Sequence, residues 1–551
     1  MNQAREWRFI AKSKWVSLAM LTVLLVLPVA EDVYAGAYSQ DQLIEDARQL
    51  AKIIEDTHPD PFVHCGGRIA FHRTLQDVLN SIPEEGTTLD RFVHLVRPLI
   101  GALGDGHTGI CYDYPKSSLY PGGVPLQLGV VEESLYVAGV RRGDDTELIG
   151  AKLLSVEGVP LEELCNRQRR VMGTENEYHV LRLLATKWLY YRAFLQDILP
   201  EWKNEKRIRV ELQLASGEIR EVDYTLPRGM RYVTRPDSTV EAPRTGSSGF
   251  MWEFWDDERT TAYLRVDHMS EYCEAYEIWR AAGSRSLTDD ELAAIPSATE
   301  SFRDLVIQMK AEGTETLIVD LRRNEGGHSI MADILLHFLY PRDVFLAVQT
   351  QHILSGGGTI RRYSEQYFEG LDNESIEDYS DVNAVPMAVG EYDFSADFAD
   401  PAKQAEALGQ SGTPAFLSDW YEKAPTFYDE YLSEEYAGHY TPGNILVVTT
   451  AATYSSGFTM AEYLYLAGAT LVGTPSGQSA NCYGEIIWWE LGNTGLQGGV
   501  SGSRYVIFPD DPEIGRVLPV HYPLSYEKLA SYDFDPNAWL RYALEIAETA
   551  E

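Results

Sequence analysis

The sequence predicts an α/β protein, and two observations carry that expectation. Leu317–Leu321, Ile445–Thr450 and Leu471–Gly473 are short, nearly continuous apolar runs, the texture of parallel strands buried on both faces. The first two are each followed by a helical pattern, Ile330–Leu339 and Phe458–Ala467. The chain has 551 residues and is 44% hydrophobic and 23% charged, so it can build a large core and is not a disordered sequence. At about 100–200 residues per domain it has room for two to four.

Residues 1–35 read as a signal peptide. Arg5, Arg8, Lys12 and Lys14 form a basic start, Trp15–Ala30 is almost wholly apolar, and Val33-Tyr34-Ala35 offers small residues for cleavage. The alternative, an uncleaved anchor, needs about 20 apolar residues, and this run is shorter. The chain is therefore expected to be exported, to the periplasm or the extracellular space. No stable membrane insertion is expected after cleavage.

From residue 36 to 115 the pattern is helical: Leu43, Ala47, Leu50, Ile53 and Ile54 repeat at three and four residues, as do Phe92, Leu95, Val96 and Leu99. Residues 116–170 change to short strands and turns, with Leu126–Val131, Leu135–Val137 and Gly150–Gly158 strand-like. Residues 171–250 hold a helical stretch through Leu181–Leu199, a hairpin (Ile208–Leu214 and Glu221–Leu226, joined through Gly217) and a linker over 234–249. Residues 251–551 form the α/β unit. Within it, an acidic, aromatic segment of roughly 345–440 lacks a clean period and reads as an insertion or lid, or as extra strands on the sheet.

The balance of 46 basic and 83 acidic residues gives a formal charge of -37. That field repels a phosphate backbone and anionic lipid, so no nucleic-acid partner is expected. Five cysteines are too few for a disulfide scaffold; Cys65 and Cys111 are one conceivable pair. His58, His64, Cys65 and His72 cluster, yet their spacing matches no helical or finger metal pattern.

The chemistry-bearing residues sit at element ends. Thr453-Tyr454-Ser455-Ser456-Gly457 joins a buried strand to a helix, where unpaired N–H groups and the helix dipole can hold an oxyanion. An ordinary Ser N-cap would look the same. Asp320-Leu321-Arg322-Arg323-Asn324-Glu325-Gly326-Gly327 runs a second buried strand into a Gly pair, which allows positive φ and close backbone approach or simply makes a tight turn. Gly104-Asp105-Gly106-His107-Thr108 presents a histidine that can act as base or stand as a surface residue.

In that order and spacing, the three clusters resemble the S41 serine peptidases, which include the C-terminal processing proteases and the core of tricorn protease. The resemblance extends to His58-Pro59-Asp60 and to Leu135–Glu163, which is similar to a degenerate PDZ-like module. It implies a crotonase-like ββα superhelix for the core, preceded by the helical region and that module, with no metal or organic cofactor. It also implies Ser455 as nucleophile, the Ser456 N–H as one oxyanion donor, Gly326 or (preferred) Gly327 as the other, and His107 as base. The processing proteases carry a Lys in a Gly-Lys pair after the nucleophile helix; here Gly477-Gln478 stands instead, and the only Lys after Ser455 is Lys528. A Ser–Lys dyad is therefore not expected. A Glu late in the tricorn domain orients the base; Glu513 lies in the comparable place, with Asp510 and Asp511 as rivals. Asn481, Tyr483 and Gly484 fit a pattern of members lacking the Lys and are expected near the substrate groove.

The resulting expectation is an exported serine endopeptidase acting on extended or unfolded polypeptides through an acyl-enzyme. The alternatives are a carrier on the same scaffold or an esterase-type acyl hydrolase.

Overall fold

The apolar runs of the C-terminal half form the middle of a six-stranded sheet in the computed structural model, which describes residues 37–114, 122–203, 206–226, 232–233, 240–281, 286–354, 359–370, 392–394 and 438–549. The expected leader and most of the segment 345–440 lie outside these residues. The strand order is Phe250–Phe254, Thr261–Val266, Thr316–Asp320, Asn444–Thr449, Thr470–Gly473, Tyr522–Pro523. Only the first pair is antiparallel.

Side chains alternate between two cores, as the period of two demands. Ile318, Leu446, Val448 and Val472 face one; Leu317, Val319, Ile445, Val447 and Leu471 face the other. All nine are buried, each contributing about 1.5–3 kcal/mol of apolar burial. On the second face lie the helices Ala298–Glu312, Ile330–Leu339 and Ser456–Leu466. The first of these is cleanly delimited: Ser297 accepts from the Glu300 N–H at its start, and Gly313 at φ 71° ends it.

The other face packs on the C-terminal helix Ala538–Thr549 and on a seven-stranded antiparallel sheet. Its main strands are Leu126–Val131, Ser134–Arg141, Lys152–Val156, Arg207–Gln213 and Ile219–Thr225. The helix Leu161–Arg169 was not expected from the sequence. Its only buried residues are Leu164 and Gln168, so it has almost no apolar period to read. The helical stretch at 181–199 is split into Glu177–Leu183, a π-helical turn over Leu184–Trp188, and Arg192–Ile198.

The N-terminal helices Gln40–Thr57, Arg68–Ser81 and Leu89–Gly101 share a third core with a sheet built on the hairpin Cys482–Glu490 and Gln497–Tyr505. The strand Gly109–Cys111 adds to this hairpin, and so do Thr359–Arg362 and, beyond it, Tyr392–Phe394. The described part of the 345–440 segment thus includes strands that widen a sheet. Among the described residues no helix is long and apolar enough to cross a membrane.

One buried carboxylate ties the N-terminal helices to that hairpin. Asp46 accepts from the backbone N–H of Asn493 (3.0 Å) and Thr494 (2.9 Å) and from Thr494 Oγ1 (2.6 Å) in the hairpin turn. Replacing Asp46 by Ala leaves these donors without partners, so Asp46→Ala should cost about 2–4 kcal/mol, read as a lower thermal midpoint, with Asp46→Asn losing less. An unchanged midpoint in Asp46→Ala would mean water replaces the carboxylate without cost.

Candidate active site

The strand Asn444–Thr449 runs into the turn Thr450–Tyr454, and Ser455 opens the helix Ser456–Leu466. Ser455 has φ 51° and ψ −130°, a conformation that costs a non-Gly residue about 1–3 kcal/mol. It makes no side-chain cap, which separates it from an ordinary N-cap serine. The turn is held from both sides. Thr453 Oγ1 donates to Leu321 O (2.9 Å), and the Tyr454 N–H donates to Asn324 O (2.9 Å).

The neighbouring strand Thr316–Asp320 ends in a buried ion pair. Asp320 accepts from Arg322 Nε (2.9 Å) and Nη2 (2.7 Å) and from the Tyr263 hydroxyl (2.6 Å). Burial alone would raise the Asp320 carboxyl, but Arg322 and Tyr263 outweigh it and hold it below the usual carboxylate value. The Gly pair follows, at φ 111° and 140°. The Gly326 N–H is committed to Asn324 Oδ1 (2.9 Å). Gly326 O and the His328 N–H both pair with Met269, while Gly327 O accepts from Ser456 Oγ at 2.8 Å. No hydrogen bond among the described residues claims the Gly327 N–H, which leaves it available beside the Ser456 N–H of the first helical turn. The close approach is real: a Cβ on Gly326 would lie 2.5 Å from Ser455 Cβ and 3.1 Å from Ser456 N. One on Gly327 would strike Met269 O at 2.2 Å, so side chains there break the fold before they reach any ligand.

His107 arrives from the N-terminal region. Asp105, fully buried, accepts from the His107 N–H (2.8 Å) and from Thr108 Oγ1, and lies 3.4 Å from His58 Nε2. His58 Nδ1 accepts from the Asp60 N–H, so its proton sits on Nε2, facing Asp105. Burial would raise Asp105, yet His58, His107 and Thr108 bring it down to about 2. Asp105 is therefore a fixed anion that shapes the loop.

The His107 ring meets a carboxylate the sequence reading did not single out. Its Nδ1 lies 3.2 Å from Glu175 Oε1 and 3.4 Å from the Tyr454 hydroxyl. Tyr454 in turn donates to Glu175 Oε1 (2.9 Å), and the Ser479 N–H donates to Glu175 Oε2 (2.9 Å). Burial would lower the His107 imidazole; Glu175 and then Asp105 outweigh it, and the net shift is upward. With Nδ1–H turned to Glu175, Nε2 is the basic nitrogen. The Tyr454 ring lies between His107 (centroids 5.0 Å apart) and His179 (4.6 Å). Burial, helped by the charges of His107 and Arg182, pushes His179 down to about 3, so it stays neutral. Ser455 Oγ makes no hydrogen bond to His107; the two are linked through Tyr454, the residue before the serine.

Glu513 does not reach this centre. Its side chain is 81% exposed and pairs with Arg516 at 3.2 Å, because it projects outward from the short helix Pro512–Arg516. Glu175 stands against His107 instead. Asp511 caps that short helix, accepting from the Ile514 N–H, and Asp510 is exposed. Lys528 is paired with Glu545 at 2.6 Å, and Asn481 is spent bracing Phe508 through both ends of its amide. The Tyr483 ring packs tilted against His58, centroids 4.7 Å apart. None of the five cysteines is in a disulfide. Asp105, His107 and Glu175 offer ligand atoms within 4.8 Å of one another, but each is already hydrogen-bonded, and a cation would have to displace those bonds.

The model of peptidase family S41 matches residues 260–482. This segment of the chain, 223 of its 551 residues, is of the peptidase family S41 type. The matched segment holds Gly327, Ser455, Ser456 and Gln478, whereas His107 and Glu175 precede it. The match indicates a serine peptidase. A solved structure of mature CPAF superposes with a TM-score of 0.50 at 16% identity, covering 91% of this chain and 96% of that one. Mature CPAF complexed with lactacystin gives 0.50 at 16%, covering 93% and 98%. The photosystem II D1 C-terminal processing protease gives 0.37 at 13%, covering 89% and 94%. No curated protein sequence matches the chain.

The electrostatics set a direct test by NMR on histidine-labelled protein. His107 should titrate above 6.5 and fall in Glu175→Gln, since removing the carboxylate removes what holds the proton on. His179 should show no titration near neutral pH. A His107 value unmoved by Glu175→Gln would sever the two residues electrostatically.

Proposed function

We propose that this S41 peptidase is an exported endopeptidase acting on extended polypeptides through an acyl-enzyme at Ser455. The observation that carries the reading is the meeting of Glu175, His107 and Tyr454 directly beside a serine in a left-handed turn, with two uncommitted N–H groups at hand. Ser455 Oγ attacks the peptide carbonyl as His107 Nε2 takes its proton, then passes it to the leaving amine. Water repeats the sequence on the acyl-enzyme. Glu175 keeps the imidazole in the correct tautomer and stabilises its cation. The Ser456 and Gly327 N–H groups receive the oxyanion, at about 3–4 kcal/mol per donor. The base is an imidazole rather than an amine: Gln478 stands at the family's Lys position, and Lys528 is engaged with Glu545.

The finer architectural reading belongs here too. The parallel sheet with its helices supports a crotonase-like core. The seven-stranded antiparallel sheet with Leu161–Arg169 supports a PDZ-like module that takes substrate by strand addition. Export rests on the leader-like composition of residues 1–35.

Ser455→Ala should abolish both peptide hydrolysis and labelling by a fluorophosphonate while shifting the thermal midpoint by only a few degrees. A carrier on this scaffold would take no label in either form. His107→Ala should lose nearly all turnover and Lys528→Ala should keep it; the reverse pattern would install a lysine base. The ascending limb of kcat/KM should lie above pH 6.5 and move to lower pH in Glu175→Gln, with a large loss of rate. A limb that stays in place would remove Glu175 from the mechanism.

A further inference from the structure

The Ser455 backbone N–H has no partner inside its own helix, because it precedes the first helical residue. It donates instead to the side-chain carbonyl of Gln478, twenty-three positions downstream. The rest of Gln478 is fixed around that contact. Its amide nitrogen donates to Cys482 Sγ at 3.5 Å, its main-chain carbonyl accepts from Ser476 Oγ at 2.9 Å, and the residue is 5% exposed. The loop is pressed against the strand end that carries the nucleophile: a Cβ on Gly477 would lie 2.5 Å from Ala451 O. The next residue, Ser479, gives its N–H to Glu175. Two consecutive residues therefore hold the nucleophile's backbone and the carboxylate that orients the base.

We propose that Gln478 is a positioning residue for the nucleophile, its side-chain carbonyl locking Ser455 in the left-handed turn in register with His107 and Glu175. This rests on Ser455 being the nucleophile. An acceptor is what the position requires. A lysine there would set a donor against the Ser455 N–H, so Gln478→Lys would lose the clamp rather than create a Ser–Lys dyad. The Cys482 thiol is held protonated by burial, which suits it to its place beside the amide nitrogen.

The test compares Gln478→Met, which keeps the volume and removes the acceptor, with Gln478→Glu, which keeps a carbonyl oxygen toward Ser455. Each is assayed for kcat, KM, thermal midpoint and the rate of fluorophosphonate labelling, with the labelled residue mapped by mass spectrometry. Gln478→Met should lower kcat and labelling rate by about 100-fold, with KM within about threefold and the midpoint within a few degrees. Gln478→Glu should keep at least a third of wild-type labelling at Ser455, and Gln478→Lys should behave like Gln478→Met. Full labelling in Gln478→Met, or equal loss in Gln478→Met and Gln478→Glu, would overturn the clamp. Label mapped to a residue other than Ser455 in the wild type would overturn the nucleophile assignment on which it rests, and so separates the two failures.

Discussion

The Glu175 carboxylate is the point on which the centre closes. It receives a proton donor from each of three distant segments: the imidazole of His107, the hydroxyl of Tyr454 and the backbone N–H of Ser479. Its side chain is 3% exposed, and a buried anion in that state persists only while all of its donors are present. Losing any one leaves a charge under-solvated, so the three segments are held in mutual register by the cost of separating them. The parallel sheet supplies the rigid half of this arrangement, because two adjacent strands deliver the Gly pair and the serine side by side.

Strain and its support are arranged together. Ser455 lies in a backbone region that sequence alone would assign to glycine, and the contacts that keep it there come from Leu321, Asn324, Gly327 and Gln478. Tyr454 has the same double duty. Its hydroxyl serves Glu175, and its ring fills the space between two imidazoles, one biased toward its charged form and one kept neutral. The two rings differ because only His107 has a carboxylate against it.

The legible parts of the chain were those with a local signal. Leu317–Leu321 and Ile445–Thr450 announced buried strands because both faces are covered, and Ile330–Leu339 was readable as a helix to the residue. The clusters around His107, Gly327 and Ser455 were visible because Gly and polar residues break apolar runs where chains turn. Glu175 carried no such mark. It sits in the short segment Gly173-Thr174-Glu175-Asn176, whose one signal is the Asn176 cap of the following helix, and nothing in that segment points to His107. Its partner is 68 positions away, and sequence order favoured Glu513 instead. The hairpin Cys482–Glu490 and Gln497–Tyr505 escaped notice for a related reason: the glycines and serines of its second strand lack the β-branched alternation that marks a strand, and it is held by packing on the N-terminal helices.

The strand Gly109–Cys111, a few residues after His107, pairs with Gln497–Gly499 near the other end of the chain. Synthesis therefore delivers His107 and Glu175 hundreds of residues before Ser455, and the sheet entered just after His107 cannot close until the hairpin Cys482–Glu490 and Gln497–Tyr505 exists. Such long-range pairing is slow to form, because loop closure must precede the contacts that reward it. A nascent chain consequently passes through its least folded stage while the three segments that meet at Glu175 are still apart.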